Sequence, residues 1–195
     1  IHKPFGNMVM DIGGGTSEIA VISLSHIVIH NSIRIGGDKM DSDIVNYLRK
    51  KNGLSIGIQT AEKIKKSIGS AFTLKEELEM DVRGRDVVNG FPVTIKVTSN
   101  EIREALSETI TDMIDAIKRL FEKTPPELAA DIAERGIILT GGGAQLKGLD
   151  ERIRETVDLP VHVVPEPLTC VVKGVGKILE DIDQYRDVLI NKIAD

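Results

Sequence analysis

The stretch Met8-Val9-Met10-Asp11-Ile12-Gly13-Gly14-Gly15-Thr16-Ser17-Glu18-Ile19-Ala20-Val21-Ile22 decides the predicted fold. Two apolar runs flank an aspartate, three glycines and two hydroxyl residues, a pattern typical of strand, tight turn and strand. Because glycine lacks a Cβ, the backbone can turn sharply there and a ligand can contact its N–H groups directly. Asp11 ends the first strand, a position that suits a carboxylate holding hydrated Mg²⁺ beside a phosphate. A hairpin that binds nothing explains this stretch equally well by itself.

A second glycine turn, Thr140-Gly141-Gly142-Gly143, lies far along the chain and also follows an apolar run, Ile137-Ile138-Leu139. Two such turns at strand ends favour a phosphate-containing ligand over a hairpin without one.

The composition makes several partners improbable. The chain has 195 residues, 41% of them hydrophobic, which suffices for one or two cores. The net charge is −5, charges of both signs are interspersed, and tryptophan is absent, so no nucleic-acid-binding face is expected. Cys170 and four scattered histidines give no metal-ligand spacing, and one cysteine fits a reducing cytoplasm. No apolar run is long enough to cross a bilayer.

The first half of the chain reads as strands followed by a smaller α/β unit. Residues 8–35 predict a three-stranded antiparallel meander, and Asp38 begins a helix that ends at Gly53. Thr60–Ala71 predicts a second helix, with Glu62, Lys65 and Lys66 on its polar side. Residues 76–98 predict two strands joined at Asn89-Gly90.

The second half alternates helices and strands. Thr98-Ser99-Asn100-Glu101 fits a capping box that begins a long amphipathic helix, and Pro125-Pro126 ends it and begins a short helix to Arg135. A buried strand at residues 136–140 precedes a helix through Leu146, Leu149 and Ile153. A short strand at 161–164, a helix from Thr169 and a terminal helix at 181–193 complete the pattern.

The predicted fold class is therefore α/β. Residues 1–38 and 99–195 are predicted to form one core, a mixed sheet of βββαβα order with helices packed on it. Residues 39–98 form a smaller α/β lobe inserted into that core.

The order of these motifs resembles the ATPase family of actins, Hsp70 chaperones and sugar kinases. Within it, the chain resembles the second half of the MreB/Mbl bacterial actins over nearly its whole length. The segments that carry the resemblance are Asp11–Ile22, Ile33–Met40, Thr60–Gly69, Glu122–Leu128 and Gly136–Leu149.

The resemblance implies a site for ATP or ADP with Mg²⁺. Gly13, Gly14 and Gly15 would hold the β- and γ-phosphates through backbone N–H groups, and Asp11 would act on Mg²⁺ through water. Thr16 or Ser17 would position the attacking water. The candidate catalytic residues are therefore Asp11, Thr16 and Ser17.

The resemblance also assigns the rest of the nucleotide site. Gly36, Gly37 and Asp38 form a further turn of the site, and the turn from Gly141 through Gly142 and Gly143 to Ala144 passes the ribose and α-phosphate. Glu62, Lys65 and Lys66 would face adenine and ribose. On pattern alone, a solvated helix face is the favoured explanation of these three, and the resemblance reverses that preference. In the full-length protein, Glu62→Ala and Lys65→Ala are each expected to weaken nucleotide binding without unfolding the domain.

Two parts of the family pattern are missing, namely the first phosphate loop and the connecting helix that supplies the catalytic carboxylate. The start, Ile1-His2-Lys3-Pro4-Phe5, lacks a methionine and is expected to be a cut from a longer protein. We therefore expect weak binding of Mg-ATP or ADP and no useful turnover, since phosphoryl transfer needs charge stabilisation from both sides. Gly174 and Gly176 match a second connecting helix, whose packing surface would then be bare.

The implied biological role is that of a cytoplasmic filament beneath the inner membrane, which polymerises with ATP and organises cell-wall synthesis and rod shape. Implied partners are copies of itself, in head-to-tail strands that pair, and membrane-anchored proteins such as RodZ and MreC. Contact with lipid is expected only through the missing half. The inserted lobe and the body carrying Glu122–Arg135 are expected near opposite ends of the head-to-tail contact, with the chain alone mostly monomeric.

Three alternatives remain open at this stage. An Hsp70-like chaperone domain or a sugar kinase would share both glycine turns. An RNase-H-like nuclease would share the core, although its two-metal chemistry needs several carboxylates and the later strand here ends in Thr140. An interaction module without a nucleotide is the third.

Overall fold

The computed structural model describes residues 5–183 and residue 185. In chain order the elements are β1 (Asn7–Ile12), β2 (Ser17–Ser23), β3 (His26–Ile33), α1 (Gly37–Lys51), β4 (Leu54–Ser55), α2 (Ile58–Ile68), β5 (Glu79–Asp86), β6 (Pro92–Thr98), α3 (Ser99–Glu122), α4 (Pro126–Arg135), β7 (Ile137–Thr140), α5 (Leu149–Val157), β8 (Val161–Val163) and α6 (Cys170–Glu180), with 3-10 turns at Gly142–Gln145 and Pro167–Thr169. Of the helix predicted at 181–193, residues 181–183 and 185 lie in turns, and the remainder lies outside the described residues.

The main sheet has the strand order β3-β2-β1-β7-β8. β1, β2 and β3 are antiparallel neighbours, whereas β7 runs parallel to β1 and β8 runs parallel to β7. This mixed sheet confirms the predicted strand, glycine turn and strand. Its register places Asp11 opposite Glu18 on one side and opposite Thr140 on the other, so the ends of β1 and β7 meet at one edge.

One face of the main sheet carries the core. Alternate residues on β1, β2 and β7 are fully buried, as the period of two requires for a covered face: Met8, Met10, Ile12, Ile19, Val21, Ile137 and Leu139. The long helix α3 contributes its apolar stripe to the same core. The capping box at its start is present, with Thr98 Oγ1 accepting from Glu101 N and Glu101 Oε2 accepting from Thr98 N.

A second sheet, of strand order β4-β5-β6, contains the predicted hairpin. The connection is the loop 87–91 rather than a two-residue Asn89-Gly90 turn, because the Asp86 carboxylate accepts from the N–H groups of Val88 and Asn89 and widens it. All three strands lie within 39–98, and buried residues of both sheets join one apolar cluster. The boundaries of the inserted lobe stay a prediction.

Two predicted helices differ from those observed. Helix α2 begins at Ile58 and ends at Ile68, since Gly69 turns the chain against the carbonyl of Lys65. The single helix expected after Gly143 is two elements, a 3-10 turn and α5. Gly148 separates them with a φ of +70°, and a Cβ there would lie 2.7 Å from Cβ of Phe72.

Candidate functional site

The first glycine turn packs directly on the turn that begins α1. Gly37 N donates to the carbonyl of Gly13 at 3.0 Å, and Asp38 N donates to the carbonyl of Gly14 at 2.8 Å. A Cβ on Gly36 would lie 2.4 Å from the carbonyl oxygen of Gly14, so only glycine allows this approach. The N–H groups of Gly37 and Asp38 are therefore occupied, and this second turn supports the first one.

The N–H groups at the tip of the first turn are free to bind a ligand. Gly14 and Gly15 are exposed, and neither backbone N–H donates a hydrogen bond to any residue that the structure describes. Gly13 N, in contrast, closes the turn by donating to the carbonyl of Thr16 at 2.9 Å. Successive unpaired N–H groups at such a turn form an anion-binding concavity, which suits a phosphate.

Asp11 lies where the two glycine turns meet. A Cβ on Gly141 would lie 2.4 Å from Asp11 Oδ1 and 2.4 Å from the carbonyl oxygen of Ile12, and Gly141 has a φ of +85°. Burial raises the pKa of the partly buried Asp11 carboxyl, and the charge of Glu18 opposite it adds to the rise. A carboxylate that is costly to ionise is one that a cation would stabilise.

The two candidate hydroxyls differ in access. Thr16 is exposed beside the turn, whereas Ser17 is fully buried and its Oγ donates to the carbonyl of Ile35 at 2.6 Å. Ser17 therefore connects the start of β2 to the short segment between β3 and α1. The geometry favours Thr16 alone as the hydroxyl that can reach a ligand.

A cleft of about 510 Å³ opens beside the turns. Of the predicted site residues it is lined by Gly13, Gly14, Gly37, Asp38, Glu62, Lys65, Lys66, Gly142 and Gly143. The other predicted residues lie around it without lining it: Asp11, Gly15, Thr16, Ser17, Gly36, Gly141 and Ala144, the last of which is buried. Lining residues that the sequence analysis missed are Met40, Asp41, Gly69, Gln145, Leu146, Lys147 and Leu168.

The charged residues of α2 do not share one solvated face. Glu62 and Lys66 form an exposed ion pair at 2.6 Å, and the hydrogen bond from Lys66 lowers the pKa of Glu62. Lys65 turns inward, with only 14% of its side chain exposed, and its Nζ lies 2.8 Å from Asp41 Oδ1. The expectation of a common polar side is therefore wrong for Lys65, because a buried carboxylate on α1 draws its ammonium group in.

Asp41 is the most consequential residue that the sequence analysis missed. Its side chain is 7% exposed, and burial raises the pKa of its carboxyl, an effect that Lys65 opposes. Oδ1 is close to Lys65 Nζ but lacks the alignment of a hydrogen bond with any described residue. The sequence does show a second acid one helical turn after Asp38. It does not show that this acid is buried, because its partner Lys65 lies on a different helix.

Two further lining residues of the cleft, Lys147 and Leu168, differ in character. Lys147 Nζ donates to the carbonyl of Ser67 at 2.7 Å, at the carboxyl end of α2, and its own carbonyl accepts from Ala71 N at 2.8 Å. Leu168 is 70% exposed, and its Cδ2 would lie 3.2 Å from a Cβ on Gly142. The lining of the cleft therefore combines charged side chains on α2 with an exposed apolar side chain, as an amphipathic ligand needs.

The residues present fit a magnesium ion that is held mainly by ligand and water. Within residues 5–183 and 185, no three His, Cys, Asp or Glu side chains cluster as a cation site. Mg²⁺ commonly keeps several waters and binds through one or two carboxylates and the substrate phosphates. Asp11, beside the free N–H groups of the first turn, provides such a single carboxylate.

The family model and the curated relatives that match this chain all point to the same family. The family model described as MreB/Mbl protein matches residues 1–187. The cell shape-determining protein MreB of Escherichia coli strain K12 is 52% identical over 185 residues, which are 95% of this chain and 53% of that protein. The cell shape-determining protein Mbl of Bacillus subtilis strain 168 is 48% identical over 184 residues, 94% of this chain and 55% of that protein.

A solved structure agrees with these relatives. The crystal structure of MreB5 of Spiroplasma citri bound to ADP superposes with a TM-score of 0.92 at 38% identity, covering 95% of this chain and 56% of that one. The actin-like α/β fold that the sequence resemblance implies is thereby confirmed. In the part of the chain that the structure describes, no helix is long and apolar enough to cross a membrane. The chain spans about half the length of the curated relatives it matches, and it belongs to the MreB/Mbl family.

Proposed function

We propose that this chain is the nucleotide-binding half of a bacterial actin, and that it binds ADP or ATP with Mg²⁺ in the cleft between its glycine turns. The observation that carries the proposal is the meeting of two glycine turns at Asp11, with the N–H groups of Gly14 and Gly15 unpaired. The ADP bound to the Spiroplasma citri relative supports the same ligand class.

Each part of the cleft has a proposed role. The turn Gly13–Gly15 binds the β- and γ-phosphates, and Gly36, Gly37 and Asp38 hold that turn in place. Asp11 acts on Mg²⁺ through water, and Thr16 positions the attacking water. Gly141, Gly142 and Gly143 let the backbone approach ribose and the α-phosphate, over the buried Ala144.

The α2 side of the cleft binds the nucleoside. Glu62 accepts from ribose hydroxyls, and the stem of Lys66 covers the base from the exposed side. Leu168 contacts the opposite face of the base as an apolar surface. Lys65 lines the cleft but does not offer a free positive charge to the nucleotide, because its ammonium group is already paired with Asp41.

Calorimetric titration of the chain with ADP, in Mg²⁺ and in EDTA, tests the proposed ligand. We expect weak but saturable one-to-one binding that EDTA weakens further, and a loss of affinity in Glu62→Ala. The matched control is Glu79→Ala, which removes an exposed carboxylate on β5 that is paired with Lys96. Binding that is absent at millimolar ADP, or unaffected by Glu62→Ala, contradicts the assignment.

We further propose that hydrolysis and assembly belong to a longer protein. One side of a phosphoryl-transfer site positions the nucleotide but leaves half of the developing charge uncompensated. Sustained phosphate release is therefore not expected from this chain alone, and release that disappears in Asp11→Ala would contradict this.

The proposed cellular role follows from the family. Its relatives are cell shape-determining proteins, so we propose a cytoplasmic filament beneath the inner membrane that organises cell-wall synthesis. Proposed partners are further copies of itself, in head-to-tail strands that pair, and membrane-anchored proteins such as RodZ and MreC. Family membership argues against the chaperone and sugar-kinase alternatives.

A further inference from the structure

A largely buried ion pair lies in the wall of the cleft, near the turn Gly13–Gly15. Asp41 on α1 and Lys65 on α2 are 7% and 14% exposed, and Lys65 Nζ lies 2.8 Å from Asp41 Oδ1. Lys65 Nζ also donates a hydrogen bond of 2.8 Å to the carbonyl of Gly37. The aligned hydrogen bond of Lys65 is thus given to the backbone, while Asp41 balances its charge.

From Gly37 the contacts continue to the phosphate turn. The peptide that follows the bonded carbonyl donates through Asp38 N to the carbonyl of Gly14, and Gly37 N donates to the carbonyl of Gly13. Lys65 is therefore two hydrogen bonds away from the turn whose tip carries the unpaired N–H groups. The two turns are also in close contact, since a Cβ on Gly36 would lie 2.4 Å from the carbonyl oxygen of Gly14. A shift of the Gly37 carbonyl is therefore expected to move the turn Gly13–Gly15 with it.

Stability alone does not require a charged pair at this place. Removing two charges from water costs about as much as their attraction returns, and apolar pairs of similar volume often serve stability equally well. What the pair provides in addition is direction, because an ammonium group can hold a carbonyl where a methyl group cannot.

We propose that Asp41 is a positioning residue for the nucleotide phosphates. It holds the Lys65 ammonium group on the carbonyl of Gly37, and so fixes the turn Gly13–Gly15 at a set distance from α2. This inference rests on the proposed nucleotide function and adds a residue that does not itself contact the ligand.

Three variants of the chain test the proposal: Asp41→Asn, Lys65→Met and the double variant. Each single variant leaves a buried polar or charged group without its partner, so both are expected to melt at a lower temperature. The double variant contains no buried charge at this place and is expected to regain most of the melting temperature. Glu104→Gln is the matched control, because it breaks the exposed ion pair that Glu104 on α3 forms with Lys51 on α1.

The affinity for Mg-ADP, measured by calorimetry well below each melting temperature, separates positioning from stability. We expect a loss of at least tenfold in both single variants and the same loss in the double variant, whose Gly37 carbonyl still lacks its donor. In addition, the β-phosphorus resonance of bound ADP should shift in Asp41→Asn at saturating ligand and stay in place in Glu104→Gln.

Recovery of affinity together with melting temperature in the double variant would overturn the proposal, since the pair would then be only structural. Affinity in Asp41→Asn equal to that of the parent would also overturn it. Failure of the parent itself to bind Mg-ADP would instead refute the proposed function, and this inference with it.

Discussion

At the scale of single residues, the site depends on a carboxylate that the fold does not stabilise. Burial and Glu18 raise the pKa of Asp11, so the folded chain binds a proton there more readily than the unfolded chain does. The ionised form therefore costs stability as the pH rises above the ordinary aspartate value. Such a cost is typical of a group kept for a ligand rather than for the fold.

Asp11→Asn is accordingly expected to stabilise the ligand-free chain at pH 7, by on the order of 1 kcal/mol or less, because solvent screens a partly exposed group. The gain should shrink at pH 4, where the parent carboxyl is closer to neutral in both states. Urea denaturation at the two pH values measures it, with exposed Asp112→Asn as the control. The same variant should lose the Mg²⁺-dependent part of ADP affinity; a variant that is less stable at pH 7 would contradict the account of Asp11.

Gly141 provides a second test at this scale. Gly141→Ala places a methyl group 2.4 Å from Asp11 Oδ1, at a φ of +85°, so we expect a loss of about 2–4 kcal/mol in the free energy of unfolding. Gly142→Ala is the matched control. Its new Cβ meets only the end of an exposed leucine, and its cost should stay within about 1 kcal/mol. Equal unfolding curves for the two variants would show that the turn is looser than described.

The sequence predicted the glycine turns and Asp11 because turn chemistry is local and is visible in consecutive residues. It did not predict Asp41, Lys147 or Leu168, because each acts through a neighbour on another element. An aspartate inside a helix gives no sign of burial until a lysine from another helix is placed beside it. Ser17 and Lys65 show the converse, since both were assigned to the ligand and both have partners within the protein.

At the scale of elements, α2 both supports the fold and lines the cleft. Its exposed pair, Glu62 and Lys66, lines the cleft, whereas Lys65 joins α2 to α1 and Lys147 holds the carboxyl end of α2. Substitutions of the exposed residues of α2 should therefore change ligand binding alone, whereas substitutions of Lys65 should also change stability.

Glu62→Ala is expected to weaken ADP binding and leave the melting temperature unchanged. Lys65→Ala is expected to lower the free energy of unfolding by about 3 kcal/mol as well, because it leaves Asp41 buried without a counter-charge. This prediction differs from the sequence-based expectation, in which Lys65→Ala changes binding without unfolding the domain. Lys63→Ala, exposed on the same helix, is the control for thermal melting and calorimetry. If Lys65→Ala melts with the parent, Asp41 and Lys65 are not coupled as described.

Element boundaries were predicted well where a pattern of capping and periodicity is strong. α3 begins at its capping box, and α1 is followed by Gly53 with a φ of +63°. The helix after Gly143 was predicted wrongly, because its break at Gly148 is set by the approach of Phe72 from a distant segment. Periodicity of Leu146, Leu149 and Ile153 continues through that break and conceals it.

At the scale of the whole molecule, α6 and the loop 87–91 each expose several apolar side chains. α6 exposes Val171, Val172, Val175 and Leu179. Apart from the nearby backbone of α6 itself, no atom of the described residues lies within 4 Å of a Cβ built on Gly174 or Gly176. The family resemblance predicts a packing surface at these two glycines. The loop 87–91 exposes Val88 and Phe91, at 91% and 71%.

We expect the purified chain to be mostly monomeric despite these surfaces. A stable interface buries about 1,600 Å² in total. A chain that spans about half the length of its relatives would provide only part of the proposed head-to-tail contact. Sedimentation velocity with and without Mg-ATP measures the distribution, and Val88→Ser with Phe91→Ser should reduce any weak association. Long polymers that require nucleotide would show that this chain suffices for assembly.

An amide NMR titration of the chain with Mg-ADP tests most directly whether nucleotide binds at the junction of the two glycine turns. We expect the largest chemical-shift changes at the N–H groups of Gly14, Gly15, Gly142 and Gly143, with smaller changes along α2. Changes that are absent at millimolar Mg-ADP, or that are confined to residues distant from both turns, would contradict it.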